Sequence, residues 1–510
     1  MKGLGTAAAS AAVIMLAGTG GGHAADLNNM PVKAVPISGP TVCTSIVDFF
    51  TTACQVSAYG VRFYGQLDIG GSYMTATTPL ERLAGPGVGY FPLKNSGAHG
   101  SGFTVAPNAM SFSGIGLQIK ENLGGGWSFV GQVETAFLPT SFSLGNNPGS
   151  VQEGAGQTLL QQHLPADGAA NGTFYNQFGY AGLSHDTWGT LTFGRQNDLL
   201  KDTIIADDAF GNAFAFSYIG FVGGSAGGGD TEDVKSTTAL KYRVNFLNYR
   251  LGLMAQIGGY DLGNASNGMY QGNIGGDFHI GPGVLSLDLL GSFTKDAVSE
   301  GVGGPGTSDP VTGIGIPTVP LGLTVTISNN TAFLVGGKYT WDRLKLYAGY
   351  EWIQFAKPSD EITQFTDETG TFIANNQPFN GVIATVNPHA FDFQDKIQQT
   401  AWVGARYSLT PTLDAIGAYY HVDISQFGAA ASPANNNVAG AVPTVCATNA
   451  RANGNCHGDV NVVSFALDWQ FAPKWDTYIG TEYSKLGGSQ ANGFIVDSNW
   501  ATTAGVRFRW

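Results

Sequence analysis

A two-residue rhythm of oily and polar side chains, restarted many times along the chain, is the feature that most limits its fold. In the run 61–73, Val61, Phe63, Leu67, Ile69 and Tyr73 share one parity, while Arg62, Tyr64, Gln66 and Asp68 share the other. Successive side chains of a strand point to opposite faces, so each run needs an apolar environment on one side and water on the other. Ile115, Leu117 and Ile119 lead through Asn122–Gly126 into Trp127, Phe129 and Val133. Leu240, Tyr242, Val244 and Phe246 turn at Leu247-Asn248 into Tyr249, Leu251 and Leu253. The final run sets Thr502, Ala504, Val506, Phe508 and Trp510 against Ala501, Thr503, Gly505, Arg507 and Arg509.

Turns between the runs alternate in length, two to five residues and then about ten to forty, which is the asymmetry of a membrane barrel with short periplasmic turns and long extracellular loops. Aromatic residues such as Trp127, Tyr249, Trp341, Trp352, Trp475 and Trp510 fall at strand ends, where an interfacial girdle lies. Only 12% of the 510 residues are charged, against roughly 25% in soluble domains. These features predict an all-β chain: a transmembrane antiparallel β-barrel of about sixteen strands, wide enough for an aqueous channel. A soluble β-sandwich also alternates, but it accounts less well for the short-long loop rhythm and the aromatic strand ends.

Residues 1–25 read as a secretory signal peptide, with Lys2, an apolar stretch from Ala7 to Ala17, and a small-residue end at Gly22-His23-Ala24-Ala25. Residues 26–58 form an N-terminal segment with a cysteine pair, and 59–510 form the barrel. Without the signal the chain has 23 basic and 37 acidic residues, a net charge of −14, which argues against nucleic acid as a partner. Acidic loop clusters such as Asp230 to Asp233 could meet divalent cations bridging lipopolysaccharide, or could simply be solvated. In an exported chain the four cysteines favour two disulfides, Cys43 with Cys54 and Cys446 with Cys456, although three connectivities are formally open. Metal binding is the rival reading; neither pair has CxxC spacing, and only His457 adjoins a cysteine. No metal or cofactor site is expected.

The chain resembles the general diffusion porins of Gram-negative bacteria, of the alphaproteobacterial type. The resemblance rests on Tyr64-Gly65-Gln66-Leu67-Asp68, on the string from Gly114 to Gly126, and above all on Trp188-Gly189-Thr190-Leu191-Thr192-Phe193-Gly194-Arg195-Gln196. The opening Ala25-Asp26-Leu27 with Pro31, Lys33 and the first cysteine pair is also similar. Family members usually end on phenylalanine, whereas this chain ends on Trp510. The resemblance implies a homotrimer of sixteen-stranded barrels in outer-membrane lipid and lipopolysaccharide. Each passes small hydrophilic solutes and ions through a pore narrowed by an inward loop. It also implies insertion by the barrel-assembly machinery, with Val506, Phe508 and Trp510 as the assembly signal. Carried onto this sequence, the inward loop is roughly 197–236, and its first part carries Asp198, Asp202, Asp207 and Asp208.

A polar solute crossing hydrocarbon needs water and hydrogen-bond partners throughout. The polar parity supplies Arg62, Lys120, Arg195, Lys241, Arg243, Arg250, Arg406 and Arg507 as candidate pore-lining residues. Opposed loop carboxylates would create a transverse field that favours dipolar solutes. Two enzyme-like strings carry little weight. Gly223–Gly227 matches GxSxG without a following helix, and Gly301–Gly306 matches GxGxxG with Pro305 where a helix should start. A barrel enzyme and an exported β-rich adhesin or sugar-binding protein are the alternatives to a non-enzymatic pore.

Overall fold

The computed structural model describes residues 42–75, 101–137, 139, 177–219, 235–257, 268–302, 321–359, 394–427, 457–488 and 497–510, together with short pieces at 365–366, 372–373, 377–379, 382–387, 391, 429–430 and 445–446. The expected signal peptide at 1–25, the string Gly223–Gly227 and the 220–234 part of the expected inward loop lie outside these residues.

Among the described residues sixteen antiparallel strands close into a barrel. In chain order they are β1 (Val61–Met74), β2 (Gly114–Gly124), β3 (Trp127–Ala136), β4 (Phe178–His185), β5 (Gly189–Asn197), β6 (Lys235–Phe246), β7 (Tyr249–Gln256) and β8 (Met269–Ile280). The ring continues through β9 (Gly283–Val302), β10 (Leu321–Trp341), β11 (Leu344–Ala356), β12 (Lys396–Thr410), β13 (Leu413–Ile424), β14 (Gly458–Ala472), β15 (Trp475–Gly488) and β16 (Ser498–Arg509). Each strand pairs with its sequence neighbours, and β1 pairs with both β2 and β16. Closure leaves no strand edge, which hydrocarbon demands because an unpaired N–H or C=O finds no water there. No helix among the described residues is long and apolar enough to cross a membrane; the crossing is made by strands.

The alternating runs set the two faces as expected. Leu253, Phe465 and Ile479 point outward and are half exposed, whereas Asp288, Asp414 and Arg507, of the opposite parity on their own strands, point inward and are buried. Tight turns close the hairpins on the short-loop side. Leu247 and Asp342 adopt positive φ there, at +53° and +48°, the backbone that two-residue hairpin loops require.

One strand departs from the simple meander. Gly102–Pro107 pairs with Ile69–Met74, and β2 pairs with Val61–Gln66, so the two pieces occupy a single position in the wall. Between them Asn108–Ser113 leaves the sheet for the lumen. Asp68 on β1 holds this excursion: its carboxylate accepts the backbone N–H groups of Met110 at 2.7 Å and Ser111 at 2.9 Å, and its own N–H donates to Ser113 Oγ at 2.9 Å. Buried backbone donors that lose their ladder must find another acceptor, and Asp68 is that acceptor.

Ahead of β1, a hairpin closed by the Cys43–Cys54 disulfide clasps the seam where first and last strands meet. Val56–Ala58 pairs with Val61–Phe63, and the short helix α1 (Ile46–Thr51) sets Phe49 and Phe50 against Phe508. Lys474 Nζ donates to the carbonyl of Phe49 at 2.9 Å, and Trp475 Nε1 to that of Phe50 at 3.0 Å. Trp510 exchanges backbone hydrogen bonds with Gly65. The expected Cys446–Cys456 bridge lies outside the described side chains.

Candidate pore constriction

After β5 the chain turns into the barrel instead of returning over the rim. Asp198 starts this inward segment by capping helix α2 (Leu199–Asp207): its side chain accepts the N–H of Lys201 at 2.6 Å. Gln271 on β8 then fixes the helix start to the wall, accepting from Leu199 N at 2.7 Å and donating to Asp198 Oδ2 at 3.0 Å. Leu199, Leu200 and Ile204 are buried, so the helix has an apolar side against the wall although it lies in a nominally wet lumen.

Four inward-facing glycines clear the path of this segment. A Cβ on Gly252 of β7 would come 2.9 Å from Leu199, on Gly336 of β10 2.6 Å from Asp207, on Gly404 of β12 2.6 Å from Ala209, and on Gly480 of β15 2.6 Å from Phe216. Such distances are below carbon or oxygen contact, so backbone and segment could not approach as they do if these positions bore side chains.

Aromatic and polar partners secure the far half. Trp402 Nε1 donates to the carbonyl of Asp207 at 3.0 Å, and the Tyr420 hydroxyl donates to Asp208 Oδ1 at 2.7 Å. Phe210 stacks on Phe216, which meets Tyr478 edge-on; Phe214 packs on Phe112, and Ala215 N donates to the carbonyl of Ala109 at 2.9 Å. Tyr478 in turn donates to Asp68 at 2.6 Å. The segment therefore runs from β5 along the inner wall to β15, where it meets the Asn108–Ser113 excursion. Together they form a buried apolar layer inside the barrel with Ile416, Val422 and Val462 of the wall.

Charges are arranged on either side of this layer. Asp202 on α2 forms ion pairs with Lys241 and Arg243 of β6, and Asn197 donates to its other oxygen at 3.1 Å. Burial opposes ionisation of Asp202, but Arg243 and Lys241 outweigh it and hold the carboxyl below its usual range. Asp207 behaves oppositely. Burial pushes it up to about 7, and the neighbouring carboxylate of Asp288 adds to the rise against the pull of Lys338 and Arg250. Burial also raises Asp208, although Asn212 and Tyr420 donate to it. On the wall made by β1, β3 and β4, Tyr64 donates to Glu134 at 2.6 Å, Gln132 to Tyr64 at 2.6 Å and Tyr180 to Gln132 at 2.8 Å.

The sequence-picked residues divide into groups. Asp198, Asp202, Asp207 and Asp208 all lie on or beside α2, and Lys241 and Arg243 meet Asp202. Arg195 is buried on β5 next to the point of entry. Arg62 stands opposite Gln118 on the β1–β2 pair, while Lys120 is exposed close to the turn at Asn122–Gly126, away from α2. Arg250, Arg406 and Arg507 face the lumen but pair with wall carboxylates: Arg250 with Asp277 and Asp288, Arg406 with Asp414 and Asp468, Arg507 with Asp476. Sequence reasoning passed over these wall acids and over Tyr420, Trp402, Tyr478 and Gln271. The inward-parity glycines at mid-strand were the signal that could have shown where the wall is closely approached.

Comparison with known proteins agrees with this architecture. The family model described as Gram-negative porin matches residues 8–493. A search of curated protein sequences finds no match. Among solved structures, the anion-selective porin from Comamonas acidovorans is similar at 14% identity and a TM-score of 0.50, covering 88% of this chain and 99% of that one. OmpT of Vibrio cholerae in its trimer form is similar at 15% identity and a TM-score of 0.47, covering 88% and 99%. Salmonella typhi OmpF in complex with daunomycin is similar at 11% identity and a TM-score of 0.47, covering 89% and 100%. With its family model spanning nearly the whole sequence and its strands closing into a sixteen-membered barrel, this chain belongs to the Gram-negative porins and forms a diffusion channel in the outer membrane.

Proposed function

We propose that the channel passes small hydrophilic solutes and ions passively, without catalysis, through the part of the lumen left open beside the inward segment. The observation that carries this reading is the cluster of Asp202 with Lys241 and Arg243, with Tyr180 of β4, two strands along the same wall, near it. Fixed charges of both signs beside the inward segment give a polar solute replacement partners for lost water and disfavour apolar ones. Arg62, Arg195, Asp198, Asp207 and Asp208 contribute to the same field, and Lys120 acts nearer the mouth. The trimer is the assembly proposed for this chain, held in lipid and lipopolysaccharide after insertion by the barrel-assembly machinery through Val506, Phe508 and Trp510. Residues 1–25 would be removed on export.

Liposome swelling tests the reading. Reconstituted protein should admit monosaccharides rapidly and longer oligosaccharides progressively more slowly. Swelling no faster than in protein-free liposomes for every sugar would contradict it. Arg243→Gln should move the reversal potential in a salt gradient toward cation preference, because of the two basic partners of Asp202 among the described residues Lys241 alone is then left. An unchanged reversal potential would remove Asp202 and Arg243 from the constriction.

A further inference from the structure

The N-terminal hairpin has a second surface that clasping the seam does not use. Phe508 has outward parity on β16, on the side that faces lipid, yet it is only 6% exposed because α1 lies across it. The helix is therefore on the outside of the barrel, at its periplasmic rim. At about 100° per residue, Phe49, Phe50, Ile46 and Val47 make one continuous apolar arc, and Asp48 and Thr51 make the opposite polar one. Around this arc the order is Phe49, Ile46, Phe50, Val47, and Phe49 and Phe50 pack against Phe508 and Trp510. Ile46 and Val47, which alternate with them, are left open at 70% and 64% exposed.

We propose that this face of α1 is an interfacial membrane contact, seated among the phospholipids of the periplasmic leaflet. Continuity with the barrel's own lipid-facing girdle identifies the occupant. The ring of Phe50 stacks on Phe508, Phe508 lies 4.4 Å from Trp475, Trp475 lies 6.4 Å from Phe471, and Phe471 lies 5.9 Å from Trp469. Phe471 and Trp469 are themselves outward and about half exposed. The apolar arc thus extends an aromatic belt already in the interface, while Asp48, whose carboxylate accepts from Thr44, turns to water. An amphipathic helix lying in the interface plane buries its apolar side at the headgroup boundary. A helix of six residues would not persist alone; Ser45, which caps it, and the Cys43–Cys54 bridge hold it in shape.

The test is peptide-resolved photolabelling of the full-length protein in phosphatidylethanolamine and phosphatidylglycerol vesicles, with one membrane-partitioned diazirine and one water-soluble diazirine. The membrane probe should label the peptide holding Ile46 to Phe50 as strongly as the peptide holding Phe465 to Phe471. In the exposed double variant I46D/V47D that labelling should fall at least about tenfold, since the loss of burial of one aliphatic side chain alone is worth about that factor and two are lost. Heavy labelling by the water-soluble probe alone would overturn the proposal. So would protection from both probes that is lost when the oligomer is dissociated, since a second copy of the chain would then be the occupant.

Discussion

Asp207 is a single buried carboxyl whose ionisation we expect to be readable in the channel's selectivity. Its raised value of about 7 means that the folded channel holds a proton there which the unfolded chain has already lost above pH about 4. Stability from this group is therefore fully present below about pH 4 and declines as pH rises to about 7, beyond which it is flat. Ionisation puts a second negative charge beside Asp288, so we expect cation preference to rise between about pH 6 and pH 8. Asp207→Asn should flatten that profile in reversal-potential measurements; a profile that persists would assign it to another group. Leu251 and Arg250 test strand parity at the same scale. Leu251→Arg places a cation in lipid and should cost roughly 2 to 4 kcal/mol in urea unfolding from liposomes, far more than Arg250→Lys, which keeps a lumenal cation beside Asp277 and Asp288, and equal losses would reject the parity. Side-chain facing was legible from alternation alone. The partners of Arg250, Arg406 and Arg507 were not, because an acid on a nearby strand, anywhere from 8 to 62 residues away, looks like any other polar position.

Among the elements, the inward segment and the disulfide hairpin do what a plain meander cannot. The inward segment was placed by resemblance to 197–236, and the described part, through Ile219, follows a wall whose glycines were visible in the sequence but unexplained. Gly336 is the cleanest probe, since the three atoms nearest to a Cβ there all belong to Asp207. Gly336→Val should push the segment toward the pore axis at a cost of about 1 to 3 kcal/mol and lower the single-channel step while the thermal unfolding of the barrel barely moves. A loss of barrel stability with an unchanged step would contradict the close approach. The excursion at Asn108–Ser113 could not be read from periodicity, because the strand resumes on the same partner and Asp68 satisfies the break from another strand. Cysteine spacing did point to Cys43–Cys54, and the hairpin it closes secures the seam. Replacing both cysteines with serine should cost about 2 to 3 kcal/mol, seen as a lower heat-modification temperature on gels with the conductance unchanged. Retention of the wild-type temperature would show that the seam holds without the clasp.

For the whole molecule, closure is what the sequence made most legible. Strand number follows from counting alternating runs and short turns, since each hairpin is local and each return loop is long. The lumen was harder to read. A barrel of this size leaves an aqueous bore by geometry, but here a buried apolar layer built from Phe210, Phe216, Tyr420 and Tyr478 takes up part of it, and inward parity alone cannot tell a water-lining residue from one covered by a loop. What remains open beside that layer must carry the solutes. Planar bilayer recording of the purified protein asks this most directly: the current should rise in discrete steps and vary linearly with voltage, whereas membranes that stay electrically silent at protein levels sufficient for insertion would contradict a water-filled channel.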